Sequence, residues 1–574
     1  NKSKRRKQSI GWHQQNRSQV AADIYDSPHS NLLFGIMGNL PSQKIEDEEI
    51  VGSGDLHSNM LRMLHDDIFK KYRVTEVVGS GSMGFVAKAV VKDSQVGGSA
   101  VKKKGVLKKL SAHGAIKERR DELVEYAIKS IQVERVSDLF LRELKNEIAI
   151  LRTLDHPNIV RAYEVSEGKR QIYIVLELCD GGSLYARGPY NEKVSQFIAS
   201  SLLSAVKYMH DHGVVHRDLK YENIMWENDG PDAQIKVIDF GLSKKFGLGE
   251  KDEMTASVGT YYTMAPQVLQ GVYTSQADLW SCGVIIYMLL TSRRPFYHKF
   301  KRIMIDKIMR AKCIMDGERW AGISDDANDL VANLLKLDPA ERFTASKALE
   351  HRWLTVGPRQ GGGQSTEEVN QKVKQNLLAY RHQLELKKIA LNIIAHRSSA
   401  KEINELRKCF NYYDKSGDGI IEVHEFKAAM ADANFTDAEI EEMFRSVDVN
   451  KNGLVQYTEF LAASLEAHSM IEEERIAEAF DRLDNDNTGY ISKANLINFL
   501  GKDKSAVEVE RLLNEADSNK DGKISYKEFT AIFRQRTRSI KREIFEETES
   551  PDETETDEEL LGLDARIPGG MFEI

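Results

Sequence analysis

The sequence predicts an α+β protein in which a small β-rich lobe and a larger α-rich lobe are followed by an all-α module. Three apolar, strand-like runs come first, at residues 72–78, 85–91 and 172–178, and longer helical segments follow them up to residue 354. Further along, one loop pattern recurs at steps of 34, 36 and 33 residues, beginning at Asp414, Asp448, Asp484 and Asp517. Four repeats at this period indicate an array of supersecondary units.

Composition excludes several classes of protein. The 574 residues correspond to roughly three or four domains, and 41% of them are hydrophobic, which is enough for sizeable cores. A net charge of −8 argues against a polyanion binder, so no nucleic-acid partner is expected. The longest apolar run, residues 282–290, is far too short to cross a bilayer, so no transmembrane segment is predicted. The four cysteines lack C-x-x-C spacing, which fits a reducing compartment, and we expect a cytoplasmic monomer.

The two ends carry opposite charge and no apolar periodicity. Residues 2–7 hold five basic side chains, and residues 546–559 hold nine acidic ones. We therefore expect a mostly disordered N-terminal extension over residues 1–71 and a disordered acidic tail over 537–574. The basic end leaves nuclear targeting and adhesion to anionic lipid open as alternatives to a solvated tail. The numbering begins at Asn1 rather than Met, so the sequence leaves N-terminal acylation undecided.

The first chemical motif is a glycine-rich turn between two strand-like runs. It reads Gly79-Ser-Gly81-Ser-Met-Gly84-Phe-Val86. Glycines let the backbone approach phosphates closely and donate N–H groups to them. Because glycine turns between strands are common, this motif alone is weak support for a phosphate site.

Three further motifs follow in order. Lys129 ends an apolar run, His216-Arg217-Asp218 stands five residues before Asn223, and Asp239 opens Asp-Phe-Gly after another apolar run. Together with the glycine turn they match protein-kinase signatures. Residues 72–354 therefore resemble a protein kinase, with the two-lobed fold and the use of ATP and Mg²⁺ that this implies.

The resemblance assigns a role to each matched residue. Lys129 would grip the α- and β-phosphates, steadied by Glu147, and Asp239 and Asn223 would hold Mg²⁺. Asp218 would accept the proton of the substrate hydroxyl, and Lys220 marks the serine/threonine-kinase arrangement. The catalytic set is Asp218, Lys220, Asn223 and Asp239. The cofactor-binding set is Val78, Gly79, Gly81, Gly84, Val86, Lys129, Glu147, Glu177 and Cys179, the last two through the backbone of an adenine-binding hinge after Leu176.

Lys102, in Ala100-Val101-Lys102, is a rival for the phosphate-gripping lysine. Lys129 lies 18 residues before Glu147, whereas Lys102 lies 45 before it. A single strand-to-helix connection fits the shorter spacing, so Lys129 is the better assignment. We interpret residues 92–124, rich in Lys and Gly, as an inserted surface loop.

Three positions depart from the kinase pattern, and one of them, Tyr221 in place of the common Pro of the catalytic loop, is not expected to affect the chemistry. Gln267 replaces the usual Glu of Ala-Pro-Glu, so a buried ion pair with Arg342 becomes a neutral hydrogen bond. Ser183 stands where related kinases often carry a Glu that contacts ribose and a substrate arginine. Strict preference for basic substrates is therefore not expected, although Glu222 would still favour a nearby basic residue.

The repeated loops match the twelve-residue EF-hand spacing. Oxygen ligands come from positions 1, 3 and 5, a backbone carbonyl from position 7 and a bidentate carboxylate from position 12. Three loops fit completely: Asp414, Ser416, Asp418, Ile420 and Glu425; Asp448, Asn450, Asn452, Leu454 and Glu459; and Asp517, Asn519, Asp521, Lys523 and Glu528. The resulting Ca²⁺ module, residues 401–536, resembles calmodulin with lobes at 401–466 and 472–536.

The third loop departs from the rule at its last position. It runs through Asp484, Asp486, Thr488 and Tyr490 and ends at Asn495 instead of Glu. An amide offers one neutral oxygen where two charged ones are needed. We therefore expect weak or absent Ca²⁺ binding there, with the loop kept for pairing with the fourth.

The segment between the two modules, residues 355–400, contains an amphipathic basic stretch. Leu377, Leu384 and Leu391 recur every seven residues within 373–396, which predicts one junction helix. A core helix of the calcium module is one interpretation. The other is a regulatory ligand of the EF-hand lobes whose Lys387 and Lys388 occupy the substrate cleft as a pseudosubstrate.

Kinase, junction and four EF-hands in this order resemble the calcium-dependent protein kinases of plants and protists, over residues 72–536. The resemblance implies a serine/threonine kinase whose junction blocks the cleft until Ca²⁺ loads the EF-hands and removes it. The alternative is a Ca²⁺-responsive pseudokinase scaffold, against which the intact Lys129, Asp218, Asn223 and Asp239 argue. A requirement for separate calmodulin is disfavoured because a sensor is already in the chain.

Overall fold

The computed structural model describes residues 57–534, apart from 65–66, 82–83, 93–123, 134–136, 169, 246–253, 255–258, 314, 316, 319, 356–366, 434, 469–470 and 502–503. The predicted insertion at 92–124 and the acidic tail therefore lie almost wholly outside the described residues. So does most of the predicted N-terminal extension.

The small lobe is built on a six-stranded sheet. Its strands are β1 Arg62–Leu64, β2 Tyr72–Gly81, β3 Gly84–Val91, β4 Glu125–Gln132, β5 Ala162–Glu167 and β6 Gln171–Glu177. Their order is β1-β5-β6-β4-β3-β2; β1 runs parallel to β5, and every other pair is antiparallel. Helix α1, Asp138–Leu151, begins at Ser137, whose hydroxyl accepts from the N–H of Phe140. The predicted strand runs are confirmed, and β1 is a strand that no sequence pattern indicated.

The large lobe is mainly helical. Its helices are α2 Glu192–Asp211, α3 Pro266–Gln270, α4 Gln276–Thr291, α5 Lys301–Met309, α6 Asp325–Leu334, α7 Ala345–Leu349 and α8 Arg352–Thr355. Two small antiparallel pairs carry the catalytic loops: β7 Val214–Val215 with β10 Lys244–Lys245, and β8 Ile224–Trp226 with β9 Ile235–Val237. Helix α4 is buried on nearly all sides, which explains its apolar run.

The junction forms two helices, α9 Glu367–Tyr380 and α10 Glu385–Arg397, where the sequence predicted one over 373–396. Helix α9 packs in the core of the first EF-hand lobe through Val373 and Leu377. Helix α10 contributes to both cores, with Leu391 in that of the first lobe and Leu386 and Ile393 in that of the second. The turn at residues 381–384 lets one segment reach both cores.

In the part of the chain that the structure describes, eight helices and one two-stranded antiparallel sheet build the two EF-hand lobes. They are α11 Ala400–Tyr413, α12 Val423–Met430, α13 Asp437–Val447, α14 Tyr457–His468, α15 Glu473–Leu483, α16 Lys493–Leu500, α17 Ala506–Ala516 and α18 Tyr526–Arg534, with β11 Tyr490–Ser492 pairing β12 Lys523–Ser525. Ile421 and Val455 exchange two backbone hydrogen bonds of 3.0 Å, which pairs loops 1 and 2 in the same way. The predicted pairing of the four loops into two lobes is confirmed.

The first lobe contacts the kinase domain through its own calcium loops. Asp155, between α1 and β5, accepts from the N–H and the hydroxyl of Thr458, both at 2.8 Å, and so caps α14 from outside the lobe. Lys207 of α2 lies 3.1 Å from Asp418 of loop 1. Arg407 of α11 pairs with the buried Glu227 at 2.8 Å. Sensor and kinase domain thus share a charged, largely buried interface.

Candidate functional site

The glycine turn lies where β2 meets β3, at the open end of the small lobe. Gly81 pairs with Gly84 in the hairpin, and residues 82–83 between them are outside the described part. A Cβ at Gly84 would stand 1.7 Å from the carbonyl oxygen of Ser130, so only glycine fits. Val78 and Val86 are exposed near this turn, as the lining of a ligand cleft would be.

Lys129 on β4 faces two carboxylates. Its Nζ lies 2.7 Å from Oε1 of Glu147 on α1 and 3.3 Å from Oδ1 of Asp239. Burial alone would lower the pKa of Lys129, but the two carboxylates outweigh it and raise the pKa above its usual range. This pairing is the one expected of Lys129, while Lys102 lies outside the described residues. A permanently charged lysine in this place suits binding of phosphate.

Asp218 sits in a hydrogen-bonded cluster on the loop after β7. The hydroxyl of Thr260 donates to Asp218 at 2.7 Å, Lys220 donates to both residues, and the side-chain amide of Asn223 donates to Asp218 at 3.2 Å. Three of the four predicted catalytic residues, Asp218, Lys220 and Asn223, belong to this cluster. The fourth, Asp239, has a backbone in the left-handed region, with φ 64°. The lysine, amide and hydroxyl together fix the orientation of one carboxylate.

Asp278 positions this loop and was missed by the sequence reasoning. Its carboxylate, 1% exposed on α4, accepts from the N–H of His216 and from the N–H of Arg217, both at 2.9 Å. Arg217 has φ 68°, a strained conformation that needs such support. The available signal was a carboxylate in an otherwise apolar helix, since a buried charge must have partners.

The predicted hinge is tied to the junction by one arginine. The Glu177 carboxylate accepts from Arg161 at 3.0 Å and pairs with Lys236 at 3.1 Å, and these cations overcome burial and lower its pKa to about 2. Arg161 also donates to the carbonyls of His396 and Ser398 at the end of α10, at 3.0 and 2.9 Å. The hinge strand and the junction therefore share one buried cation.

Lys387 and Lys388 do not occupy the substrate cleft in this structure, so their pseudosubstrate position in the Ca²⁺-free state stays a prediction. Both side chains are buried away from Asp218: Lys387 lies 3.1 Å from Glu466 of α14, and Lys388 lies 3.1 Å from Glu385. Both lobe cores enclose the apolar face of the junction, so Lys387 pairs with the calcium module and Lys388 with a residue of its own helix.

Gln267 and Glu222 in the large lobe both have defined side-chain partners. Arg342 donates to the amide oxygen of Gln267 at 3.3 Å and to backbone carbonyls, which is the neutral bond that was predicted. The Glu222 carboxylate accepts from the hydroxyl of Tyr262 at 2.5 Å, and the Arg294 guanidinium stacks 4.2 Å from the centre of the Tyr262 ring. Glu222 therefore already has a partner and a neighbouring cation.

Loops 1, 2 and 4 share one geometry. The glycines at position 6, with φ between 80° and 85°, donate to the first aspartate at 2.8 to 2.9 Å; they are Gly419, Gly453 and Gly522. The glutamates at position 12 reach back to the N–H of position 3, at 2.7, 3.1 and 3.3 Å; they are Glu425, Glu459 and Glu528. The first and last ligands of each loop are thus drawn to the same side of the turn.

Loop 3 has the same turn without the closing carboxylate. Gly489 donates to Asp484 at 2.7 Å, as in the other loops. The shorter Asn495 instead accepts from Ser492 at 2.8 Å and donates to Asn485 at 2.6 Å. Its only acceptor oxygen is therefore used to begin α16.

The donor sets of loops 1 and 2 fit a divalent cation. Burial, together with Asp418 and Glu425, raises the pKa of Asp414 to about 7. Burial also raises the pKa of Glu459 to about 8, with Asp448 and Asp155 adding to it. Gathered carboxylates that resist ionising are relieved by a bound cation, and oxygen ligands of this kind suit Ca²⁺.

Comparison with known proteins identifies the family. Residues 112–354 match the protein kinase domain model, and residues 403–465 and 473–534 match the EF-hand domain pair model. The kinase match begins inside the 92–124 insertion, although β2 and β3 before it belong to the same sheet.

The chain is similar to proteins named as calcium-dependent protein kinases. "Calcium-dependent protein kinase 5" of Plasmodium falciparum is 35% identical over 416 residues, covering 70% of this chain and 72% of the relative. "Calcium-dependent protein kinase 16" of Oryza sativa subsp. japonica is 35% identical over 419 residues, covering 71% and 76%. The chain belongs to the calcium-dependent protein kinase family. It is a Ca²⁺-activated serine/threonine kinase, as the resemblance in its motifs implied.

Membership of this family carries coarse consequences for ligands. A protein kinase domain implies the use of ATP with Mg²⁺ and of protein substrates, and EF-hands imply Ca²⁺ binding. In the described part of the chain, no helix has the length and apolar character needed to cross a bilayer.

Proposed function

We propose that the chain transfers the γ-phosphate of ATP to protein Ser or Thr hydroxyls with the residues of this site. Lys129, held by Glu147, binds the α- and β-phosphates, and Asp239 with Asn223 holds Mg²⁺, which neutralises charge on the phosphates. Asp218 takes up the substrate proton, with Lys220 and Thr260 fixing its orientation. The observation that carries this proposal is the 2.7 Å pair between Lys129 and Glu147 beside Asp239.

A matched pair of lysine substitutions tests these roles. Lys129→Met removes the phosphate-binding cation, whereas Lys102→Met removes the rival. With a generic Ser/Thr peptide, ATP-Mg²⁺ and Ca²⁺ at about 10⁻⁴ M, we expect the first to lower kcat/KM at least about 100-fold and the second to change it little. Loss of activity in Lys102→Met alone would reverse the assignment. Wild-type protein that transfers no phosphate at any Ca²⁺ concentration would favour the pseudokinase scaffold.

For regulation, we infer that loops 1, 2 and 4 bind Ca²⁺ and hold the junction inside the lobes, away from the catalytic residues. Without Ca²⁺ the lobes release α9 and α10, which then block the cleft. Moving such a switch from 1:99 to 99:1 needs about 5.5 kcal/mol of differential binding. Three sites, each coupled by about 1 to 3 kcal/mol, supply this amount.

The alternative mechanism is that the docked calcium module stabilises the active conformation of the kinase domain, rather than removing an inhibitory junction from the cleft. The Arg161 link favours it, because the guanidinium that pairs with Glu177 at the hinge also donates to the end of the docked α10. A chain ending at Gly363 separates the two. Ca²⁺-independent activity of that chain supports inhibition by the junction. A chain that is folded but inactive supports a mechanism in which the docked calcium module stabilises the hinge.

A further inference from the structure

A surface with exposed aromatic and apolar side chains lies on the large lobe, where the chain passes from α4 into α5. Tyr297 is 58% exposed, Phe300 57% and Ile303 42%. Phe300 precedes the first residue of α5 and Ile303 lies on its first turn, so the three side chains belong to one short stretch of chain. Residues 297–303 are here named the α5 surface. Exposed apolar groups gathered in this way are typical of a surface that a protein partner covers.

The α5 surface also carries positive charge. Residues 299–312 contain six Lys and Arg side chains and a single carboxylate, Asp306, which pairs with an arginine of its own helix at 2.9 Å. Lys299 and Lys301 are exposed, and each lies over an aromatic ring. In the part of the chain that the structure describes, neither lysine has a carboxylate partner. Because an aromatic face attracts a cation without neutralising it, both lysines keep a charge that an acidic partner can bind.

Two consecutive residues connect this surface to the catalytic cluster. Thr260 donates to Asp218, the carboxylate that faces the substrate hydroxyl in the proposed reaction, at 2.7 Å. The next residue, Tyr261, has its ring centre 3.7 Å from Nζ of Lys301. One residue of chain and one cation–ring contact therefore separate the catalytic cluster from the α5 surface, and a peptide bound at Asp218 lies close to Lys301.

The acidic residue beside the catalytic loop opposes negative charge in a substrate less than a free carboxylate would. Glu222 accepts from the hydroxyl of Tyr262 at 2.5 Å, and the guanidinium of Arg294 lies 4.2 Å from the centre of the same ring. The charge of Glu222 is therefore partly balanced before a substrate arrives, and a carboxylate of the substrate can approach the lysines beyond it.

We propose that the α5 surface binds an acidic segment of the protein substrate that flanks the Ser or Thr receiving phosphate. Lys299 and Lys301 pair with carboxylates of this segment, and Phe300 contacts an apolar side chain between them. The surface thus selects acidic over neutral or basic substrates by charge complementarity. This inference names a substrate class and rests on the proposed phosphate transfer, so its test measures binding separately from catalysis.

Peptides that cannot be phosphorylated test the proposal on the full chain, with ATP-Mg²⁺ and Ca²⁺ at about 10⁻⁴ M. Each fluorescent probe has Ala at the acceptor position, with Asp-Leu-Asp-Asp before it in one probe and after it in another. A third probe carries Asn in place of every Asp. By fluorescence anisotropy we expect one acidic probe to bind at least about fivefold more tightly than the Asn probe, and this advantage to shrink in about 0.5 M salt. Equal binding of all three probes overturns the proposal.

A pair of double variants locates the binding. Lys299→Gln with Lys301→Gln should weaken binding of the acidic probe at least about fivefold and leave the Asn probe unchanged. Lys336→Gln with Lys347→Gln is the matched control, because both lysines are exposed on the same lobe and Lys347 also lies over an aromatic ring. Equal effects of the two double variants count against the proposal. Phe300→Ser is an independent variant, expected to weaken binding about threefold, and full binding in that variant contradicts the apolar contact.

Two other occupants of the α5 surface give different results. If the acidic tail of the same chain occupied it, a chain ending at residue 544 would bind the acidic probe at least about tenfold more tightly, which overturns the proposal. If an anionic membrane occupied it, the lysine double variant would lose binding to phosphatidylserine vesicles but keep its affinity for the acidic probe, which also overturns it. Because the probes lack a phosphate acceptor, a chain without transferase activity leaves the binding result intact.

Discussion

Arg161 and Glu177 form a buried ion pair of 3.0 Å behind the predicted adenine hinge. The same guanidinium caps the carbonyl end of α10 through His396 and Ser398. Helix C-termini carry partial negative charge, so a cation held there stabilises the docked junction. One side chain thereby links the place where nucleotide is expected to the helix that the calcium module encloses.

Arg161→Met should uncouple the calcium module from the kinase domain. The substitution leaves the Glu177 carboxylate with Lys236 as its remaining cation and removes the donor to the carbonyls at the end of α10. Breaking a buried ion pair lowers the free energy of unfolding by about 3 kcal/mol or more. We expect the ratio of activity with Ca²⁺ to activity without it to fall at least about tenfold, as measured by peptide phosphorylation. Arg407→Met breaks a buried ion pair between the first lobe and the kinase domain, with Glu227, and leaves the Arg161–Glu177 pair in place. Equal losses in both variants would mean that general docking, rather than the hinge, transmits the signal.

His396 should make stability depend on pH. Its ring is buried, Nε2 lies 3.2 Å from the carbonyl oxygen of Ala162, and His57, Arg161 and Arg397 face it. Burial and these neighbouring groups lower the pKa of His396 well below 6.5. Below pH 6.5 the unfolded chain therefore binds a proton that the folded chain does not, so this contribution to stability is present above pH 6.5 and falls with decreasing pH.

Urea unfolding between pH 7.5 and 5 measures this dependence. His396→Gln removes one titrating group, so the slope of unfolding free energy against pH should become shallower by about 1 kcal/mol per unit below pH 6. The exposed His424→Gln should leave the slope as it is in the wild type. Identical slopes for wild type and His396→Gln would contradict the assignment.

Residues that carry chemistry could be predicted from the sequence because their spacing is fixed by the chemistry itself. Lys129, Asp218 and Asp239 end or follow apolar runs at distances that a two-lobed fold requires, and the structure places Lys129 3.3 Å from Asp239. The twelve-residue loops, including the replacement of the last glutamate by Asn495, could be predicted equally well because each ligand position requires a particular residue type.

Contacts between modules could not be predicted in this way. Asp155 capping α14 and Met60 entering the second lobe join residues more than 300 positions apart, and nothing in the local pattern marks them. The junction was mispredicted as one helix because its heptad of leucines is continuous. The junction places side chains in two lobe cores, and the break at residues 381–384 lets it reach both, so this tertiary requirement overrides the local period.

Arg294 should shape substrate choice beside the catalytic loop. Its guanidinium stacks on the ring of Tyr262, whose hydroxyl donates to the Glu222 carboxylate. A basic substrate side chain that approaches Glu222 is therefore repelled by Arg294 and finds a carboxylate that already has a partner. Arg294→Ala should raise the ratio of kcat/KM for an Arg-containing peptide to that for its Ala counterpart about five- to tenfold, or about 1 kcal/mol. The neighbouring exposed Arg293→Ala is the control. A scan of arginine through each peptide position that gives the same profile for both variants would refute this role.

Asn495→Glu should restore Ca²⁺ binding to the third loop. Asn495 stands three residues after Ser492 at the start of α16, and glutamate at that position keeps the capping box while adding two charged oxygens at position 12. Titration calorimetry should give three Ca²⁺ ions per wild-type chain and four per Asn495→Glu chain. Asn495→Gln matches the length without the charge and should stay at three. Four ions in the wild type would show that loop 3 closes with an amide, and three in Asn495→Glu would place the defect elsewhere in the loop, where Thr488 replaces the acidic residue or asparagine of position 5.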